Sequence, residues 1–178
     1  MRHDGFTLME VLVAMAVIMV AALGGMQLVS MAIGTISSAR TQSLATGLAS
    51  ARIEQLRGLQ FEYDGAGMRV TDTSTDLTID PPGPGGAGLS PSGPSTLDSN
   101  VPGYVDFFDG RGQWVGNGAS APPGAVLVRR WAVEPIDAGG DLLALQVLVR
   151  SIDGGTVPTG RRAAGETRFV TIRARVRP

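Results

Sequence analysis

From Val11 to Met26 no side chain is polar. A helix that is apolar all round has to be buried deeply or sit in lipid, so this stretch limits the fold more than any other. The apolar block opens at Phe6 and runs to about Ile36, and Gln27 and Ser30 are the first polar side chains after Met26. A bilayer core of about 30 Å takes about 20 residues of helix. Phe6 to Val29 is long enough for that. A secretory signal would have a shorter apolar core, of roughly 7–15 residues, ending at a small-x-small cleavage site. No Ala-x-Ala site follows this block. Residues 6–36 are therefore expected to form a transmembrane helix, preceded by a short polar leader, Met-Arg-His-Asp-Gly, at residues 1–5.

The helical pattern continues past the apolar block. Leu44, Ala45, Leu48, Ala49, Ile53, Leu56 and Leu59 recur at spacings of three and four, which makes one stripe on a helix. Arg52, Glu54, Gln55 and Arg57 fall on or near the other face, and Glu54 and Arg57 are spaced for an i,i+3 pair. Gly58 is a natural stop. One helix from about Phe6 to Leu59 is expected, with residues 37–60 as its amphipathic continuation. Gly24, Gly25 and Gly34 interrupt it, each at about 1 kcal/mol relative to Ala. Close helix packing and a point of bending are both open readings of these glycines.

Residues 61–125 are rich in Gly, Pro, Ser and Asp, and Pro81–Gly86 and Ser90–Pro94 forbid regular structure. Tyr104–Phe108 and Gln113–Val115 flank Asp109-Gly110-Arg111-Gly112, a hairpin signal. Residues 126–178 hold three strand patterns, Val126–Val133, Leu142–Arg150 and Phe169–Val176. In the last, Val170, Ile172, Ala174 and Val176 alternate with Thr171, Arg173 and Arg175, which predicts a buried apolar face and a wet arginine face. The expected fold is α+β: a long N-terminal helix whose amphipathic half packs on a small antiparallel β-sheet.

Chemistry is restricted by what is absent. There is no Cys and no Lys, and His3 is the one histidine. Disulfide frameworks and thiolate sites are excluded. Residues 59–125 are acidic and 126–178 basic, with nine arginines in the latter. Such asymmetry suits contacts between subunits, or equally a solvated loop beside a basic-edged sheet.

The sharpest motif is Gly5-Phe6-Thr7-Leu8-Met9-Glu10, at the start of the apolar block. In it the chain resembles the type IV pilins and type II secretion pseudopilins, whose signature is a short leader ending in Gly, then Phe-Thr-Leu-x-Glu, then an apolar helix. The resemblance implies that a prepilin peptidase cuts between Gly5 and Phe6 and that Phe6 becomes the N-methylated first residue. It also implies a pilin-like fold and a filament-assembly role for Glu10. A carboxylate at the head of a membrane helix is costly unless paired. The freed Phe6 amine, on the same or a neighbouring subunit, is its natural partner. The bland alternative is a headgroup-level Glu10 that favours the helix N-terminus by about 0.3–1 kcal/mol. The leader departs from the usual basic pattern, because Asp4 offsets Arg2.

A second resemblance lies in Ala45–Arg57 and in Val128-Arg129-Arg130-Trp131-Ala132-Val133, which are similar to the helix and sheet of V-type minor pilins and I-type pseudopilins. The resemblance implies a structural minor subunit of a type IV pilus or type II secretion pseudopilus. Its implied partners are the prepilin peptidase, other pilins or pseudopilins, and an inner-membrane assembly platform. The implied location is a single pass through the inner membrane with the C-terminal domain on the periplasmic side.

Catalysis fits poorly: loss of residues 1–5 leaves no His, Cys or Lys, so common nucleophile–base pairs and imidazole metal sites are out of reach. Asp72 with Asp76, and Asp106 with Asp109, read as solvated turn acids, and no EF-hand spacing is present. No cofactor, metal or small-molecule substrate is expected. A competence pseudopilin could contact DNA through Arg129, Arg130, Arg161, Arg162, Arg173, Arg175 and Arg177, with Trp131 and Phe169 stacking on bases. The competing expectation is that these arginines line the wet face of strands and the aromatics fill the core. A signal-anchored envelope protein with a binding domain would keep its N-terminus intact.

Overall fold

The computed structural model describes residues 7–152 and 166–176. The chain divides into two compact units, residues 1–39 and 40–178. Helix α1 (Leu8–Gly58) opens the described chain. Within the first unit its apolar side chains, from Leu8 to Ile36, are exposed. It is the one described helix long and apolar enough to cross a membrane. The helix is unbroken through Gly24, Gly25 and Gly34, and among the described residues nothing beyond the helix's own adjacent backbone lies within 4 Å of where their Cβ atoms would be. Packing among the described residues therefore does not require glycine there. Thr35 returns its hydroxyl to the Met31 and Ala32 carbonyls at 2.7 and 3.0 Å, so it presents no unsatisfied donor on the apolar surface.

The second unit is α+β, as the sequence predicts. Its strands are β1 (Phe61–Tyr63), β2 (Arg69–Thr71), β3 (Thr75–Asp76), β4 (Gly83–Pro84), β5 (Val105–Phe108), β6 (Trp114–Asn117), β7 (Leu127–Pro135), β8 (Leu142–Ser151) and β9 (Thr167–Ala174). β1–β2 and β3–β4 are small separate pairs, and the main sheet runs β6-β5-β7-β8-β9, antiparallel throughout. The helix lays Ala45, Ala49, Ile53 and Leu56 on one face of that sheet, against Trp131 and Val133 of β7 and Leu143, Leu145, Val147 and Val149 of β8. Alanines at 45 and 49 let the helix come close, and the larger strand residues fill the space between. β7 is buried on both faces from Leu127 to Val133. On the face away from α1, Val105, Phe107 and Val128 form a second small cluster.

The 61–125 segment is mostly irregular yet contributes to the core. Leu77, Leu89 and Tyr104 are buried with the helix stripe. Backbones there run too close for side chains: a Cβ on Gly86 would stand 2.1 Å from the Asp76 Cα, and one on Gly88, at φ +50°, 2.5 Å from the Asp72 carbonyl oxygen. The Asp109 turn closes the β5–β6 hairpin, with its carboxylate accepting from the Arg111 and Gln113 amides at 2.8 and 2.9 Å.

One expectation is overturned in β9. Period-two alternation is present, but with the opposite sense. Val170, Ile172 and Val176 are 58–67% exposed, while Phe169, Thr171 and Arg173 turn towards the helix side. The register fixes this, because Phe169, Thr171 and Arg173 stand opposite Val147, Leu145 and Leu143. The physical reason is the end of α1. Its last carbonyls lack intrahelical partners. Arg173 donates to the Leu56 and Leu59 carbonyls at 3.0 and 2.6 Å.

Candidate functional site

Two places in the chain concentrate chemistry. The first is the head of α1. Thr7 precedes the helix, and the Glu10 amide donates to the Thr7 carbonyl at 3.0 Å and to its hydroxyl at 3.4 Å. Thr7 thus sits at the N-cap with Glu10 three residues on, the spacing of a capping box. Glu10 is exposed in the first turn. Among the described residues it has no cation partner, and the first described arginine is Arg40. A partner for this carboxylate at its own depth must come from the residues before Thr7 or from another chain. Gly5 and Phe6, the predicted cleavage and methylation positions, lie outside the described residues.

The second place is where α1 meets the sheet. Asp106 of β5 is fully buried and accepts from Arg52 Nη2 at 2.7 Å, Arg129 Nε at 3.0 Å and Arg129 Nη2 at 2.6 Å. Arg129 also donates Nη1 to the Leu48 carbonyl of the helix at 2.9 Å. The Arg52 guanidinium lies 4.2 Å from the Trp131 ring centroid, a cation–π contact inside the core. Two cations share one anion here. Burial, and then the neighbouring Arg129 charge, bring the Arg52 pKa down to about 9 against the pull of Asp106. Its Nε and Nη1 have no hydrogen-bond partner.

Two expectations are corrected at this junction. Arg52 does not point outward with Glu54 and Arg57: it is 1% exposed and belongs to the buried stripe, and Gln55 is half-buried with its Oε1 enclosed. Asp106 is not a solvated turn acid but a strand residue neutralising that stripe. The signal for Arg52 was present: Ala49, Arg52 and Leu56 are spaced by three and four. Glu54 and Arg57 do pair, at 3.2 Å, on the exposed side. Asp72 and Asp109 are turn acids, each accepting local amides.

The basic set weighed for DNA is also redistributed. Arg129 and Arg130 are buried, and Trp131 is 1% exposed. Arg175 donates to the Glu62, Val70 and Gly140 carbonyls, to the Thr71 hydroxyl and to Asp141, and its guanidinium lies 3.9 Å from the Phe61 ring centroid. These arginines tie segments together and do not line a wet face. Arg161, Arg162 and Arg177 lie outside the described residues.

A family model described as the prokaryotic N-terminal methylation motif matches residues 1–26. The match covers the leader, the Gly5–Glu10 motif and the first part of the apolar helix, and it supports reading the chain as type IV pilin-like, a class that is structural. No curated protein and no solved structure matches the chain.

Proposed function

We propose that this chain is a structural minor subunit of a type IV pilus or type II secretion pseudopilus, and not an enzyme. The observation that carries the proposal is the methylation-motif match at residues 1–26, on a segment whose helix is apolar and exposed. In this reading the prepilin peptidase cuts between Gly5 and Phe6 and methylates Phe6. The helix anchors the subunit in the inner membrane, with residues 40–178 on the periplasmic side. The assembly platform then moves it into a filament of other pilins or pseudopilins. Glu10 neutralises the Phe6 amine, its own or a neighbour's, as the subunit docks. The unpaired state of Glu10 among the described residues supports that role, since a carboxylate entering apolar surroundings needs a counter-charge. The minor-subunit assignment rests on the likeness of Ala45–Arg57 and Val128–Val133 to V-type minor pilins and I-type pseudopilins.

The test is N-terminal mass spectrometry of protein from membranes of cells with and without the prepilin peptidase. A chain starting at methylated Phe6, only when the peptidase is present, is expected. An intact Met1 in both strains would instead mean a signal-anchored protein.

A further inference from the structure

The sheet face away from α1 holds two arginines, Arg130 and Arg150, that form no ion pair with an acid among the described residues. Arg130 of β7 stands opposite Leu148 of β8, and Val128 opposite Arg150. Arg130 and Arg150 are therefore diagonal neighbours on the same face, about 7–8 Å apart at the backbone. Between them lies a cavity of about 70 Å³, floored by Phe107, Val128 and Ile152 and edged by Asn100.

Arg130 is 5% exposed, and its partners are all neutral. Nε and Nη2 donate to Asn100 Oδ1 at 2.9 and 2.7 Å, and Nη1 donates to the Leu97 carbonyl at 3.0 Å. These bonds fix the guanidinium without an ion pair to any described acid. Arg150 is partly exposed, and its side chain forms no ion pair with a described acid. Asp98 acts on Arg130 only from a distance, without an ion pair. Burial, and then the like charge of Arg150, lower the Arg130 pKa. A cationic pair beside an apolar floor favours an anion more strongly than the same pair in open water. The fork of Arg150 suits a planar or tetrahedral oxyanion.

We propose that this pocket binds a small oxyanion, a carboxylate or a phosphate group, with Arg150 gripping it and Arg130 supplying a fixed second charge. The pocket is independent of the processing motif, and only the neighbouring-subunit source of its anion rests on the pilin reading. The oxyanion has two sources, free phosphate or an acidic side chain of a neighbouring subunit, and the chemistry of recognition is shared.

The test is calorimetric titration of the full-length protein in non-ionic detergent at low salt, with inorganic phosphate and with acetate. Saturable one-to-one binding is expected, weakened about tenfold or more in Arg150→Gln, which removes a charge-assisted hydrogen bond. Arg150→Lys, which keeps the charge but loses the fork, should bind with an affinity between those of the native chain and Arg150→Gln. Phosphate held much more tightly than acetate assigns the pocket to free phosphate, and comparable affinities assign it to a protein carboxylate. Absence of saturable binding by either anion overturns the site, and so does an Arg150→Gln protein that binds as the native chain does.

Discussion

Asp106 holds two guanidinium groups in a space that water does not reach, and this unequal ratio decides what each substitution should do. Removing the single anion leaves two buried cations facing each other. Asp106→Asn should therefore destabilise the domain by about 3–5 kcal/mol, the range for breaking a buried pair. Arg52→Met should cost far less, because the remaining Asp106–Arg129 pair is charge-balanced and the methionine refills apolar space. Chemical denaturation of the protein in detergent measures both, and equal losses would sink the charge-balance account. At Glu10 the expectation is of another kind. Glu10→Val should still insert and be cleaved but enter filaments poorly, as read by comparing membrane and sheared-filament fractions. Normal incorporation would remove the assembly role. The motif at Gly5–Glu10 is legible in sequence because it is local. Asp106 is not legible there, since its meaning depends on Arg52 and Arg129, which lie 54 and 23 residues away.

Among the elements, α1 and β9 show what periodicity can and cannot say. The helix end follows from Gly58 as a stop, and the apolar members of the stripe, Ala45, Ala49, Ile53 and Leu56, follow from the spacing of apolar residues, whereas Arg52 among them does not. The alternation of β9 follows too, but which of its faces turns inward does not. Hydropathy favours Val170 and Ile172, while the free carbonyls of Leu56 and Leu59 favour Arg173, and the carbonyls win. Val170→Thr should accordingly change stability by no more than about 0.5 kcal/mol, as an exposed substitution. Arg173→Ala, which leaves two helix-end carbonyls without donors, should cost about 1–3 kcal/mol. Thermal unfolding of the two variants side by side checks the assignment, and the reverse ranking would refute it. The small β1–β2 and β3–β4 pairs were illegible because two- and three-residue strands carry no period.

For the molecule as a whole, stability should depend on acid. The carboxyls of Asp72, Asp109, Asp137 and Asp141 are all held below their ordinary value. The first cause is the Thr75 hydroxyl for Asp72, the Gln113 amide for Asp109, the Leu142 amide for Asp137 and the Tyr63 hydroxyl for Asp141. Folded pKa values below the unfolded ones mean that this stabilisation is complete above the unfolded value, about 3.9. It is lost as pH falls through the lower, folded values. Unfolding followed from pH 7 to pH 2 should show a flat region and then a decline starting near pH 4, and a decline starting near pH 6 would point to other groups. The α+β class and the single apolar helix could be read before any coordinates, because composition and period fix them. The closing of the irregular 61–125 segment could not, because it depends on distant donors such as Arg175.

Arg173 reaches the Leu56 carbonyl across 117 residues of chain, which places the helix and its seal far apart in time. At about 5–20 residues per second of synthesis, the interval is roughly 6–23 s. The stripe of Ala45, Ala49, Ile53 and Leu56 is made at its start, β7 and β8, which supply most of its cover, only in its second half, and β9 at its end. A nascent chain thus carries an open apolar flank directly after an apolar block that has already emerged. The order of synthesis, and not only the final contacts, leaves that flank open until the later strands of the sheet arrive.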